Sequence, residues 1–453
     1  MNPLSLSTLA TMSGASLLTG NPEICALRVS KDTRTIQSGD LYIALRGEHF
    51  DGNDYLEEAA SRGAVGALCD REVSAGLPHG FGVLSTPDVP TGLILLASAW
   101  RSHLALRTVV ITGSSGKTST KDFTAAVMKS RFRTTATAGN FNNHIGLPLS
   151  ILAANTEDEV AVWEIGMNHR GEIAPLAGLS RPEIGIITGI GVTHIEYLKS
   201  KEEIAREKGD LLERLPSSGT AIIPAYDDFA TQLRARTSAR VLEVGFDAGN
   251  IRATGIVAEL TGSHFLIEGD FGKQEVFLPV TGRHMVGNAL LAVAAGVLMG
   301  IPLSLCATAL SSSELTGGRL GRVMRRGVLL LDDTYNANPD SMVAALETLA
   351  SLPGQGKKIG VLGKMGELGI HAAAGYERVG GTASRLLDTL ICIGSEAAAI
   401  ATAATTGGLR DVRVVSNNSE AAKMLSSLAH AGDFVLLKAS RSAHMEEVIH
   451  HFN

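Results

Sequence analysis

The chain has 453 residues, with 40 Lys and Arg against 46 Asp and Glu and a formal charge of −6. Non-specific nucleic-acid binding needs an excess of basic charge, so it is excluded as the main activity. Aromatic residues, at 4%, are too sparse for single-strand stacking platforms. With 45% apolar residues the composition is that of a globular protein, and the length suggests about three domains.

The four cysteines (Cys25, Cys69, Cys306 and Cys392) match neither a zinc nor a disulfide spacing. They read as small buried hydrophobes in a reducing compartment. No run of about 18 apolar residues is present, so no membrane insertion is expected. The first twenty residues lack the basic start of a signal peptide. The expectation is a cytoplasmic monomer.

Residues 3–18 read as a packing helix. From 24 to 70 the short apolar stretches CALRVSKDTRTIQSGDLYIALRG and GAVGALCD flank DYLEEAASRG, which has the 3.6-residue period of a helix. Residues 1–86 thus form a small α/β domain. Pro87 and Pro90 break the pattern, and the helix TGLILLASAWRSHL then leads into the strand RTVVITG. Over 87–315 strands such as EVAVWEIGM, EIGIITGI and TAIIPAYD alternate with helices, which implies a mostly parallel sheet covered on both faces. Strand-like segments at 240–280 are expected to add an antiparallel extension. Glycines and polar residues cluster at 311–322. Beyond them GVLLLDDTYN, KKIGVLG, DTLICIG, VRVVS and GDFVLLKAS mark a second parallel α/β unit. The expected fold is α/β in three domains: a small N-terminal α/β domain, a central P-loop domain with a mostly parallel sheet, and a C-terminal Rossmann-like domain over 316–453.

The strongest local signal is VVITGSSGKTSTKDFTAAVM, residues 109–128. An apolar strand runs into Gly113, Ser114, Ser115, Gly116, Lys117, Thr118 and Ser119, and a helix follows. Small residues let backbone N–H groups wrap phosphate oxygens, and the helix N-terminus adds partial positive charge. Lys117 is suited to the β- and γ-phosphates and the Thr118 hydroxyl to Mg²⁺. The usual pattern has Gly six positions before the Lys; here that residue is Ile111, so the loop is shorter. ATP and Mg²⁺ are the expected cofactors.

A nucleotide loop does not say what the phosphate energy drives. Glu164 ends the strand VAVWEIG, at the edge where open α/β sheets bind ligands, and His194 follows the strand IGIITGIGVTH. Both suit a metal site, and both also suit ordinary structural roles. Lys208 lies on the amphipathic stretch SKEEIAREKGDLLERL, where a solvated helix lysine is the plain expectation.

Longer strings narrow the choice. ITGSSGKTSTKD, TAGNFNNHIGLPLS, EIGMNHRGEI, GRHMVGNALLAVAAG, GGRL and LDDTYNANPDSM occur in that order. SKDTRTIQSGDLYIALRGEHFDGNDYLEEAASRGA precedes them and GDFVLLKASRSAHMEEVI follows. Together they resemble the Mur ligase family almost end to end. The paired asparagines of 139–143 and 335–339, and the lack of a DNPR string, point to the branch that adds a dipeptide. The resemblance implies an ATP-dependent amide ligase of peptidoglycan precursor synthesis. Its partners would be UDP-N-acetylmuramoyl-tripeptide and D-alanyl-D-alanine. The tripeptide carboxylate attacks the γ-phosphate, giving an acyl phosphate and ADP, and the dipeptide amine then expels phosphate. The alternatives are a sister ligase adding one amino acid and a non-catalytic ATP-dependent switch.

The same resemblance assigns roles. Lys117 neutralises charge on the transferred phosphate; Thr118 and Glu164 hold one Mg²⁺, and His194 helps hold a second. Lys208 resembles the lysine that carries a carbamate, which turns a cation into an anionic oxygen ligand. Asn288 resembles the adenine-recognising residue, with His284 near it, and Arg319 the arginine that reaches the γ-phosphate. Asp333, Tyr335, Asn336 and Asn338 would complete the ATP site. Asp32, Thr33 and Arg34 would contact the uridine diphosphate, and Asn140, Asn142, Asn143, His169, Arg170 and Glu172 the muramoyl-peptide. The chain departs from the family pattern at Thr188-Gly189-Ile190-Gly191, where Asn usually precedes the glycine. It also carries Thr193 for a usual Ala, Lys364 for Asp and Ala439 for Gly.

Overall fold

Asp88 accepts a hydrogen bond from the Thr91 N–H at 2.8 Å, and Pro90 sits in the first turn. The proline pair that reads as a break is therefore the start of the helix Val89–His103, since Pro is tolerated where helix N–H groups have no partner. In this computed structural model, which describes residues 1–71 and 76–452, the chain divides by packing into two units. One comprises Met1–Val110, Phe132–Met167 and Gly171–Glu183; the other comprises Ile111–Arg131, Asn168–Arg170 and the chain from Ile184 onward.

The first unit holds a five-stranded sheet ordered Ser16–Thr19, Gly82–Ser85, Gly66–Cys69, Asp40–Ile43, Arg28–Ser30. It is parallel except for the antiparallel edge strand Ser16–Thr19. Tyr42, Ala44, Leu56, Ala67, Phe81 and Val83 form a core on one face. The N-terminal helix is shorter than the expected 3–18. Ser5 caps its start and Gly14, at φ +67°, ends it, leaving Leu6–Ser13 as helix and 16–19 as strand. Cys25 is also exposed, unlike the other three cysteines, because it lies on the short outer strand Cys25–Ala26. In the same unit Thr134–Ala136 pairs in parallel with Val160–Glu164.

The second unit carries two sheets. In one, Ile184–Ile187, Thr220–Pro224, Arg240–Gly245 and Ile251–Ala258 run parallel, and Ser263–Gly269 and Gly272–Leu278 continue antiparallel. The antiparallel extension thus begins later than 240, because Arg240–Gly245 pairs with Thr220–Pro224 in parallel register. The helix Arg283–Leu298 is apolar nearly all round and buried, packing on the nucleotide-loop helix Lys117–Lys129. The other sheet is ordered Gly321–Arg325, Val328–Asp332, Phe434–Lys438, Lys358–Leu362, Thr389–Ile393, Asp411–Val415. Only its first strand is antiparallel. Its strand order reverses beside Phe434–Lys438, the kind of crevice where open α/β sheets bind ligands. No helix among the described residues is long and apolar enough to cross a membrane.

Candidate active site

The strand Arg107–Thr112 delivers the nucleotide loop, and the helix Lys117–Lys129 leaves it with no side-chain cap. Its first N–H groups are thus left for a ligand. Gly113 has φ +149° and Gly116 φ +82°. A Cβ at Gly113 would overlap the Thr188 hydroxyl, and one at Gly116 would stand 2.5 Å from Asn288 Oδ1. Both glycines are required by conformation and by close approach. The Ser114 N–H donates to Gly189 O at 2.8 Å, and Ser114 Oγ accepts from the Gly191 N–H at 2.8 Å. Thr188 Oγ1 donates to Ser115 O at 2.5 Å, and Lys117 Nζ folds back to Gly113 O at 2.9 Å. Ser114, Thr118 and Ser119 are buried.

The loop after the strand Ile184–Ile187 carries His194 in the left-handed region, φ +63°, where it starts the short helix Ile195–Leu198. Its Nδ1 is 2.5 Å from Glu367 Oε2, and Glu367 is itself left-handed at φ +59°. Two non-glycine residues in this costly region, facing each other, mark a site held by its surroundings. Burial pushes the His194 pKa down, partly offset by the Glu367 carboxylate. Glu367 in turn is held below its usual range by His194.

Lys208 lies on the helix Lys201–Glu213, which Ser200 caps and whose Ile204, Leu211 and Leu212 are buried. Its side chain is 0% exposed and its Nζ has no hydrogen-bond partner. Burial, reinforced by Lys117, drives its pKa well below that of an ordinary lysine. An unpaired ammonium there is costly, so burial favours the neutral, nucleophilic amine. The helix periodicity pointed to a solvated lysine; the tertiary packing turns it inward.

Asn288 is buried on the helix Arg283–Leu298 against the Gly116 backbone. His284, one turn earlier, has its pKa pushed down to about 4 by burial, with Asp333 opposing and Lys438 assisting. The Arg319 guanidinium lies 4.0 Å over the Tyr335 ring and makes only long contacts, 3.4 Å, to Thr316 O and Gly317 O. Asp333 pairs with the buried Lys438 at 2.6 Å, and Lys438 also donates to Asn336 O at 2.9 Å. Asn338 caps the helix Pro339–Ser351, and its Nδ2 donates to Ser115 Oγ at 3.0 Å. The nucleotide loop, His194, Asn288 and Asn338 thus converge within one unit.

The remaining candidates are dispersed. In the first unit Glu164 ends its strand with Oε1 accepting from Asn142 Nδ2 at 2.7 Å, while Oε2 is buried without a partner. Asn143 Oδ1 caps the start of the helix Gly146–Ala153, and Asn140 is exposed. Asp32 pairs with its neighbour Arg34 at 2.6 Å, which holds its pKa down at about 2. Thr33 opens the 3-10 turn between them. Lys31 Nζ stands 5.4 Å over Phe141, which brings the 32–34 turn beside the 140–143 stretch. Glu172 and Asn143 line one cavity of about 230 Å³ with Pro148, Pro175 and Leu179. His169 and Arg170 belong to the second unit, where the His169 ring lies tilted against Tyr197 and Arg170 pairs with Glu203 at 2.5 Å.

Among the described residues no group of three or more His, Cys, Asp or Glu is placed to hold a metal. In the first unit the orphaned, buried Glu164 Oε2 is an oxygen donor of the kind a hard cation takes. Sequence reasoning missed Glu367, Lys438 and Asp340, which accepts from the Val192 N–H at 3.0 Å. The GELG and DDTYNANPD contexts are visible in the sequence, but their long-range partners are not.

Three family models match the chain: the Mur ligase family catalytic domain over 28–92, the Mur ligase middle domain over 111–296, and the Mur ligase glutamate ligase domain over 318–441. UDP-N-acetylmuramoyl-tripeptide–D-alanyl-D-alanine ligase of Bacillus subtilis is 37% identical over 427 residues, covering 93% of this chain and 92% of that protein. Among solved structures, MurF from Acinetobacter baumannii superposes with a TM-score of 0.90 at 29% identity, over 99% of this chain and 98% of that one. MurF from Thermotoga maritima in complex with ADP gives 0.82 at 25% identity, over 94% and 96%. With a phosphate-cradling loop at its centre and relatives matched along nearly its whole length, the chain belongs to the Mur ligase family.

Proposed function

We propose that the chain joins D-alanyl-D-alanine to the peptide carboxylate of UDP-N-acetylmuramoyl-tripeptide, with ATP converted to ADP and phosphate, in the cytoplasmic stage of peptidoglycan precursor synthesis. The observation that carries this reading is the match over 93% of the chain to a ligase of that name, together with the nucleotide loop. The division is a UDP-substrate-binding domain over 1–86, an ATP-binding ligase domain over 87–315 and a Rossmann-like domain over 316–453, and the three separately matched family models support it.

The loop N–H groups and Lys117 bind and orient the ATP phosphates, while Asn288 and His284 hold the base side. Arg319 is tied by two 3.4 Å carbonyl contacts and by its place over the Tyr335 ring, so swinging onto the γ-phosphate exchanges these for a charge-assisted contact. Asp333, Tyr335, Asn336 and Asn338 line the same nucleotide. Thr118, Glu164, His194 and Lys208 as its carbamate serve Mg²⁺, which supplies charge neutralisation at the phosphate oxygens. The carbamate forms as the neutral Lys208 amine attacks CO₂, making an N–C bond and releasing one proton to solvent. Asp32, Thr33 and Arg34 with Asn140, Asn142, Asn143, His169, Arg170 and Glu172 contact the UDP-muramoyl-peptide. Asn142 does so while steering Glu164.

Phosphate release with Mg-ATP, UDP-N-acetylmuramoyl-tripeptide and D-alanyl-D-alanine, omitting each in turn, tests the proposal. Release that needs all three is expected. A free amino acid replacing the dipeptide would favour a sister ligase, and ATP binding without release would favour a switch.

A further inference from the structure

For the loop's N–H groups to converge on a phosphate, its carbonyls must point away, and each buried carbonyl then needs a donor behind it. Thr188 supplies one to Ser115 O. Thr193 supplies the nearer donor to Ser114 O, its Oγ1 donating at 3.1 Å while Lys117 Nζ reaches the same carbonyl only at 3.5 Å. A hydroxyl that donates can also accept, and Thr193 Oγ1 takes one Asn338 Nδ2 proton at 2.8 Å. The second Nδ2 proton goes to Ser115 Oγ at 3.0 Å. Asn338 Oδ1 accepts from the Ser341 N–H at 2.8 Å, which fixes which way the amide faces. Two residues on, Asp340 Oδ2 accepts from the Val192 N–H at 3.0 Å. A donor chain therefore runs from Asn338 through Thr193 to the Ser114 carbonyl, bridging residues 145 positions apart.

We propose that Thr193 is a positioning residue whose hydroxyl ties the nucleotide loop to Asn338, so that ATP affinity depends on the segment 338–341 being seated. Alanine at this position would leave Ser114 O without that donor and Asn338 Nδ2 without that acceptor. The coupling runs through both of these bonds. It rests on the nucleotide-binding part of the proposed function and not on the identity of the acceptor substrate.

The test is calorimetric binding of the non-hydrolysable β,γ-methylene analogue of ATP, with Mg²⁺, to the full chain. Thr193→Val keeps the shape and loses the hydroxyl. It should weaken binding about threefold to tenfold, the range of one neutral hydrogen bond, while Thr193→Ser stays within twofold of wild type. Asn338→Ala should weaken binding similarly, and the double variant should be no more than about twofold weaker than the worse single one. In turnover, the KM for ATP should rise while the KM for the dipeptide stays put. Thr193→Ala replaces Thr193→Val if the valine variant does not fold. Binding of the hydroxyl-free variant within twofold of wild type, or fully multiplicative effects with Asn338→Ala, would overturn the inference. Absence of binding by the wild-type chain would instead overturn the ligase reading itself.

Discussion

Replacing Gly116 by alanine perturbs the loop in two ways at once. At φ +82° an L-residue costs roughly 1–2 kcal/mol. The new Cβ would also stand 2.5 Å from Asn288 Oδ1 and 3.0 Å from its Cγ. Asn288 is 7% exposed on a helix whose neighbours are buried, so its amide has nowhere to retreat without giving up the position in which it would meet the nucleotide under the proposed function. Losing one neutral hydrogen bond there adds about 1 kcal/mol. The free loop can relieve both by shifting and ATP must restore them, so the sum, about 2–3 kcal/mol, weakens ATP binding roughly 30- to 150-fold. The control is Gly272→Ala: φ is +106° but nothing lies within 4 Å of a Cβ, at the first residue of the strand Gly272–Leu278. It should lower the melting temperature and leave ATP affinity unchanged. Calorimetric titration of both variants decides the matter. Gly116→Ala binding ATP within threefold of wild type would refute the reasoning, as would an equal loss in Gly272→Ala.

Lys208→Ala should lose activity at least about 100-fold and recover part of it with short-chain carboxylates that replace the carbamate oxygens; full activity without rescue would exclude the assignment. Arg101 is buried and donates to Ser180 O, Leu104 O, Leu106 O and Thr108 Oγ1, with burial pushing its pKa down to about 10. Arg101→Met orphans these acceptors and should cost about 3 kcal/mol or more in urea unfolding, so a loss below about 1 kcal/mol would contradict the network. His284 has a folded pKa of about 4 against 6.5 unfolded, so the unfolded chain takes up a proton first as pH falls. Stability should therefore be full at pH 7 and decline between pH 6.5 and 4, by at most about 3 kcal/mol because the ring is partly exposed. Urea unfolding of His284→Asn at both ends of that window should show a shallower decline, and an unchanged slope would speak against the assignment.

The parts legible from the sequence were those with local causes. The nucleotide loop announces itself because small residues, a strand before and a helix after are all contiguous. The helix Lys201–Glu213 and the strands ending at Glu164 and Asp332 were readable from periodicity. Boundaries were less so: Gly14 stops a helix that apolar composition would have extended, and Pro90 starts one where it read as a break. The nature of Arg240–Gly245, parallel instead of antiparallel, is set by its neighbour and not by its own residues.

The sequence by itself marked an α/β nucleotide-binding protein, because phosphate cradling needs a contiguous run of small residues that chance rarely supplies, and the Mur ligase reading came from the resemblance of longer strings. The tertiary structure decided which side chains answer to one another. Lys208 looks like any helix lysine until packing buries its amine without a partner. Glu367 meets His194 across 173 positions of chain only because two loops are folded together, and Lys438 meets Asp333 because the strand Phe434–Lys438 pairs beside Val328–Asp332. Hydrogen bonds and ion pairs act over a few ångströms. Residues far apart in sequence acquire chemistry toward each other only when the fold removes that distance.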